Sequence, residues 1–253
     1  LPPPYEVGVW ILNKIYVVGI GPGEYEQMTI KAAKCLEKCH VIVGYTVYVD
    51  LIKDHFGNAK FLSTPMKQEK ERCILAFNEA QKGQDVAVVC SGDAGVYGMA
   101  SLIFEIGEGY PQTSIEVVGG ITAALSGGSV LGAPLTHDFA VISLSDLLTP
   151  WEKIEKRLKM AAEGDFVICI YNPSSKKRGD YLKMACKFMM ESKSESTVCG
   201  VVKNIGRTGE EMEIMTLKEL SQYQADMFTT VFIGNSQTRV IGGKMVTPRG
   251  YKI

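Results

Sequence analysis

The sequence predicts an α/β protein built as two lobes, and three observations carry that prediction. β-Branched runs of strand length alternate with segments of helical apolar spacing from residue 14 to residue 234. Several of those runs break directly into glycine-rich turns before the next helix, and such turns lie at the strand ends where open α/β sheets meet ligands. The alternation is interrupted once, by the polar, proline-broken stretch A-P-L-T-H-D-F at 133–139, and then restarts. The expected organisation is a tail over 1–13, an N-terminal α/β domain over 14–137 and a C-terminal α/β domain over 138–253, with a cleft between the lobes.

The first lobe opens with a strand over 14–19 that enters the turn Gly19-Ile20-Gly21-Pro22-Gly23, followed by a helix over 28–38 with Thr29 near its start. The turn departs from the dinucleotide fingerprint G-x-G-x-x-G, because Pro22 intervenes and Glu24 occupies the third glycine position. A short strand over 40–43 leads to a loop, 44–50, whose Tyr45 and Tyr48 serve equally as core or as ligand contacts. The charged run 63–72 reads as the solvated start of a helix that continues to Ala80. A strand over 85–90 then feeds V-V-C-S-G-D-A-G-V-Y-G-M at 88–99, the stretch around which the lobe is organised. Three glycines in seven residues allow close backbone approach, and Asp93 suits either a ligand or a helix cap. A strand over 114–118 meets Gly119-Gly120, and small residues follow as far as Gly132, with Thr122 placed to cap or to bind.

The second lobe reads as a strand over 140–144, a helix over 150–162 signalled by Thr149-Pro150, and a strand over 165–171. That strand ends in Asn172-Pro173-Ser174-Ser175-Lys176-Lys177-Arg178, the densest basic cluster in the chain. A loop of this kind is either simply solvated or a place to meet an anion. A helix over 180–191, a strand over 197–203 that runs into Asn204-Ile205-Gly206-Arg207, a short helix over 217–223 and a strand over 229–234 complete the order.

With 46% hydrophobic residues the 253-residue chain can bury a substantial core, and a folded chain is expected. Net charge is −1, from 27 basic and 28 acidic residues, so nothing global points to nucleic acid or to an anionic membrane. No apolar run reaches the length of a membrane span, and a cytoplasmic location is expected. The seven cysteines form no C-x-x-C pair and are expected to be reduced. Cys35 and Cys39 lie four apart beside His40, but no second pair has zinc spacing, so no metal site is expected.

Taken together, V-G-I-G-P-G (18–23), S-G-D-A-G-V-Y-G-M (91–99), G-I-T-A-A (120–124), L-G-A-P-L-T-H-D-F (131–139), S-L-S-D-L-L-T-P-W (143–151), Y-N-P-S-S-K-K-R (171–178), K-N-I-G-R-T-G-E (203–210) and T-T-V-F-I-G-N-S-Q-T-R (229–239) resemble the tetrapyrrole methylases. The resemblance spans nearly everything from Lys14 to Tyr251 and rests on the motifs in order, since each alone is weak. Within the family they are most similar to the branch that methylates C17 of precorrin-3B or cobalt-factor III in cobalamin biosynthesis, with ring contraction and lactone formation.

The resemblance implies a homodimeric enzyme of two α/β domains that binds S-adenosylmethionine, folded over, in the interdomain cleft. By similarity Pro22 lies at that cleft, and the donor is contacted by Gly92, Asp93, Val96, Thr122 and Ala123, with Asn172, Asn204 and Gly206 from the second lobe. Ser175, Lys176, Lys177, Arg178 and Arg207 are the expected partners of the substrate carboxylates. Tyr45 and Lys67 are candidates for assisting proton loss, although related uroporphyrinogen enzymes carry a carboxylate at the position of Tyr45. The chain also departs from the family at Gly119, where proline is usual. Two alternatives remain open: a methylase for another precorrin, and a non-catalytic module that binds the tetrapyrrole or the donor.

Overall fold

The computed structural model describes residues 13–175 and 179–252. The tail expected over 1–13 lies outside the described residues, apart from Asn13, which opens the first strand. The chain divides into two compact units after Thr122.

The first unit contains β1 (Asn13–Gly19), α1 (Ile30–Lys38), β2 (Val41–Tyr45), α2 (Thr46–Ile52), β3 (Lys60–Thr64), α3 (Glu69–Ala80), β4 (Val86–Cys90), α4 (Ala100–Gly107) and β5 (Thr113–Val118). Its sheet runs β3-β2-β4-β1-β5, and every pairing is parallel. Helices cover both faces, which is why β4 is apolar at all five positions and not alternating. Val86, Val88 and Cys90 face Phe77, Ala80 and Ile103 of α3 and α4, while Ala87 and Val89 face Leu36 of α1 and Ile52 of α2. Thr29 caps α1 by accepting the Ala32 N–H at 3.1 Å.

The segment read as a loop over 44–50 is in fact mostly α2. Val49 and Ile52, three apart, bury one face against the sheet and outweigh the local cost of β-branched residues in a helix. The strand β3 had no separate signal in the sequence, because Lys60–Thr64 is only partly buried at the sheet edge.

The second unit contains α5 (Ala123–Leu131), β6 (Gly132–Ala133), β7 (Phe139–Ser143), α6 (Trp151–Glu163), β8 (Val167–Tyr171), α7 (Tyr181–Met189), β9 (Val198–Lys203), β10 (Glu211–Thr216), α8 (Leu217–Leu220), β11 (Thr229–Ile233), β12 (Arg239–Ile241) and β13 (Lys244–Val246). The main sheet runs β10-β9-β11-β8-β7, with β7 and β8 parallel and the other pairings antiparallel. A small sheet, β12-β13-β6, stands beside it. Leu158, Leu182 and Met189 from α6 and α7 cover one face, and α5 covers the other against Cys169, Val202 and Phe232.

The sequence places the lobe boundary at 137/138, whereas the compact units part after Thr122. The physical reason lies in α5: a Cβ at Gly127 would stand 2.8 Å from Ile205 and 3.0 Å from Phe232, so the helix is seated on the second sheet. β6 also pairs with β13, well along the second unit.

Candidate active site

In the first unit all five strands run the same way, so their carboxyl ends form one edge, and most of the candidate residues of that unit lie along it. Gly21 and Gly92 form a reciprocal bridge, Gly21 N to Gly92 O at 3.0 Å and Gly92 N to Gly21 O at 2.7 Å, that carries the β1–β4 pairing into the turns. The ends of β1, β4 and β5 meet without room for side chains: a Cβ on Gly120 would stand 2.1 Å from the Gly92 carbonyl oxygen and 2.6 Å from Gly19. Pro22 is buried in the turn after β1.

The Asp93 carboxylate knits these turns together. Oδ1 accepts the N–H groups of Gly95 at 2.8 Å and Val96 at 3.2 Å, and Oδ2 accepts that of Gly120 at 2.9 Å. Three charge-assisted bonds to backbone fix the loop over 92–96 against the turn after β5. Tyr97, half exposed, follows in the left-handed region at φ 53°, a conformation that recurs at functional loops. On the outer side of the β5 turn, the Thr29 hydroxyl donates to the Gly119 carbonyl at 3.2 Å. Cys90 lies just before the loop, where burial pushes its thiol up to about 11, so it is a neutral thiol at pH 7 and no nucleophile.

Tyr45 and Lys67 sit toward the β3 side of the same edge. Tyr45 ends β2 opposite Thr64, with its ring edge-on to Tyr48 at 5.2 Å. Lys67 is exposed and holds φ 68° in the turn before α3. Beside Tyr45 is a residue that the sequence reading missed. Arg72, read as part of a solvated run, is 3% exposed, and its guanidinium lies over the Tyr45 ring at 5.9 Å. The signal was present: Arg72 stands four and eight residues before Ala76 and Ala80, on the buried face of α3.

In the second unit β7, β8 and β9 also point the same way, so Ser143, Asn172 and Asn204 lie on one edge. Asn172 and Asn204 both hold φ 51° directly after their strands, a region that asparagine tolerates better than most residues. The Asn172 amide donates to Ser143 Oγ at 2.9 Å. The Asn204 amide donates to the Gly209 carbonyl at 3.2 Å, and the Gly206 N–H donates to Glu210 Oε2 at 2.8 Å, closing the turn. The Arg207 guanidinium lies over Phe228 at 5.8 Å.

The Tyr171 hydroxyl accepts the Ala124 N–H at 2.6 Å, which ties the start of α5, next to Thr122 and Ala123, to the end of β8, next to Asn172. Ser175 lies four residues past β8. Lys176, Lys177 and Arg178 lie outside the described residues. Among the described residues no group of three or more histidine, cysteine or carboxylate side chains is placed to hold a metal, and no helix is long and apolar enough to cross a membrane.

Residues 14–221 match the family model for Tetrapyrrole (Corrin/Porphyrin) Methylases. The chain is a tetrapyrrole methylase. This methylase is 45% identical to a probable cobalt-factor III C(17)-methyltransferase of Salmonella typhimurium, over 94% of the chain and 99% of the relative. It is 47% identical to a protein of the same description from Methanocaldococcus jannaschii, over 94% of the chain and 97% of the relative, and 37% identical to a precorrin-3B C(17)-methyltransferase of a Sinorhizobium species, over 90% and 91%. Among solved structures, the methyltransferase CobJ superposes on the methylase with a TM-score of 0.86 at 35% identity, covering 93% of the chain and all of CobJ. A uroporphyrin-III C-methyltransferase of Thermus thermophilus, solved with S-adenosyl homocysteine, shares the fold at a TM-score of 0.70 and 21% identity, covering 87% of the chain and 97% of that structure.

Proposed function

We infer that this methylase transfers a methyl group from S-adenosylmethionine to C17 of precorrin-3B or cobalt-factor III in cobalamin biosynthesis, with accompanying ring contraction and lactone formation. The observation that carries the reading is likeness over nine-tenths of the chain to relatives named for C17 methylation. The glycine-built edge of the first unit agrees with it, since backbone and not side chains lines the convergence of β1, β4 and β5.

The donor brings an activated sulfonium methyl, so the chemistry asks the chain chiefly for alignment and exclusion of water. In this proposal the loop held by Asp93, with Gly92 and Val96, positions the donor together with Pro22, Thr122 and Ala123. Asn172, Asn204 and Gly206 complete its contacts. Their left-handed backbone turns the chain after β8 and β9 away from strand geometry. Ser175, Lys176, Lys177, Arg178 and Arg207 bind the carboxylates of the macrocycle. Tyr45 and Lys67, on the β3 side of the edge, are the proposed helpers for proton loss. A cytoplasmic homodimer belongs to the same proposal, and analytical ultracentrifugation tests the dimer.

The decisive experiment incubates the protein with methyl-labelled donor and, separately, precorrin-3B and cobalt-factor III. A gain of one methyl group, placed at C17 by NMR, is expected with at least one of them. No gain with either, or a methyl on another carbon, contradicts the proposal.

A further inference from the structure

Arg72 is a buried cation with no carboxylate within ion-pair distance among the described residues. Its Nε donates to Thr64 Oγ1 at 2.9 Å, its Nη2 donates to the carbonyls of Thr64 at 3.4 Å and Pro65 at 3.1 Å, and its Nη1 faces the Met99 thioether at 3.3 Å. All four acceptors are neutral, and among the described residues no carboxylate lies within ion-pair distance. Neighbouring charges of the run, Glu69, Lys70 and Glu71, are exposed. A guanidinium taken out of water without a carboxylate is costly to the fold, so its retention calls for a partner that arrives with a ligand.

Its location says which ligand. Arg72 joins the ends of β2, at Tyr45, and β3, at Thr64 and Pro65, to Met99 at the close of the loop that follows β4. In the order β3-β2-β4-β1-β5, the Asp93-centred cradle occupies the β4-β1-β5 part of the edge, which leaves the β3-β2 part to a second ligand. We propose that this β3-β2 part receives a carboxylate-bearing ring of the substrate, and that Arg72 is its positioning residue. The side chain holds Tyr45 and the Thr64–Pro65 turn in place, and its uncompensated charge draws the polyanion to them. The inference rests on the tetrapyrrole reading.

Uroporphyrin III, a soluble octacarboxylate, serves as the probe, with S-adenosylhomocysteine as the donor-site control. Titrations of the full chain at several salt concentrations compare wild type, Arg72→Gln and Arg72→Lys. The expected result is uroporphyrin binding about tenfold weaker in Arg72→Gln, with a flatter salt dependence and S-adenosylhomocysteine binding within about twofold of wild type. Arg72→Lys is expected to restore the salt dependence, because it keeps the charge, but only part of the affinity, because it loses the fork. Equal uroporphyrin binding by wild type and Arg72→Gln overturns the inference. So does a parallel loss of both ligands in Arg72→Lys, which marks a purely structural role. A wild type that binds S-adenosylhomocysteine but not uroporphyrin overturns the tetrapyrrole reading itself.

Discussion

The Asp93 carboxylate accepts the backbone N–H of Gly120 at 2.9 Å, a bond between the loop that follows β4 and the turn that follows β5. Gly120 can come that close because it has no side chain. The same carboxylate organises its own loop through Gly95 and Val96, so one charge fixes both walls of the edge.

The two glycines of that turn differ sharply in what they tolerate. Alanine at 120 places a methyl 2.1 Å from the Gly92 carbonyl oxygen, and the expected loss is roughly 3 kcal/mol or more, with loss of donor binding. Alanine at 119 finds only Asp93 Oδ2, at an ordinary 3.5 Å, and the backbone there is not left-handed. Gly119→Ala is expected to stabilise by about 0.4–1 kcal/mol through the unfolded chain, with donor affinity kept. Urea unfolding of the two variants checks the contrast, and comparable destabilisation in both would contradict it.

Tyr171→Phe removes the acceptor of the Ala124 N–H, which is fully buried at the start of α5. An orphaned buried donor costs about 1–3 kcal/mol. A melting temperature lower by several degrees is expected, together with weaker donor binding, since Thr122, Ala123 and Asn172 flank the lost bond. A variant that melts with wild type would show that the hydroxyl has no part in seating α5.

Glu116 lies between Lys14 at 2.6 Å and Lys31 at 2.9 Å, and hydrogen bonds from the two ammonium groups hold its carboxyl down at about 2. Because the folded value is below the unfolded one, its contribution is fully present above the ordinary value of 4.5 and is lost as pH falls toward about 2. The cluster is solvent-facing, so screening limits the effect to less than about 1 kcal/mol. Glu116→Gln is expected to flatten the stability profile over that acid window and to lower stability at pH 7 by that same small amount, as read by thermal melts across pH.

Much of the fold was legible in the sequence because the central strands are buried on both faces and read as unbroken apolar runs. β4 and β8 are the clearest instances. Edge elements were not. β3 is only partly buried and β10, Glu211–Thr216, carries its charges outward, so neither presents a run of apolar residues. α2 was hidden by its β-branched composition, and the lobe boundary by a proline that breaks the chain inside the second unit, after α5 is already seated on its sheet. For the site, glycine-rich strand ends pointed to the right edge, since the close approach they permit is a local property. Arg72 and Tyr171 were missed because their work depends on partners far along the chain: Met99 for the first, Ala124 for the second.

The central structural claim is that the Asp93-held edge of the first sheet is where the donor binds. Calorimetric titration of S-adenosylhomocysteine into wild type and Asp93→Asn tests it most directly, because an amide cannot offer three acceptor bonds to three backbone N–H groups. A dissociation constant raised about tenfold or more in a variant whose near-ultraviolet circular dichroism matches wild type is the predicted result. An unchanged dissociation constant would place the donor elsewhere and contradict the claim.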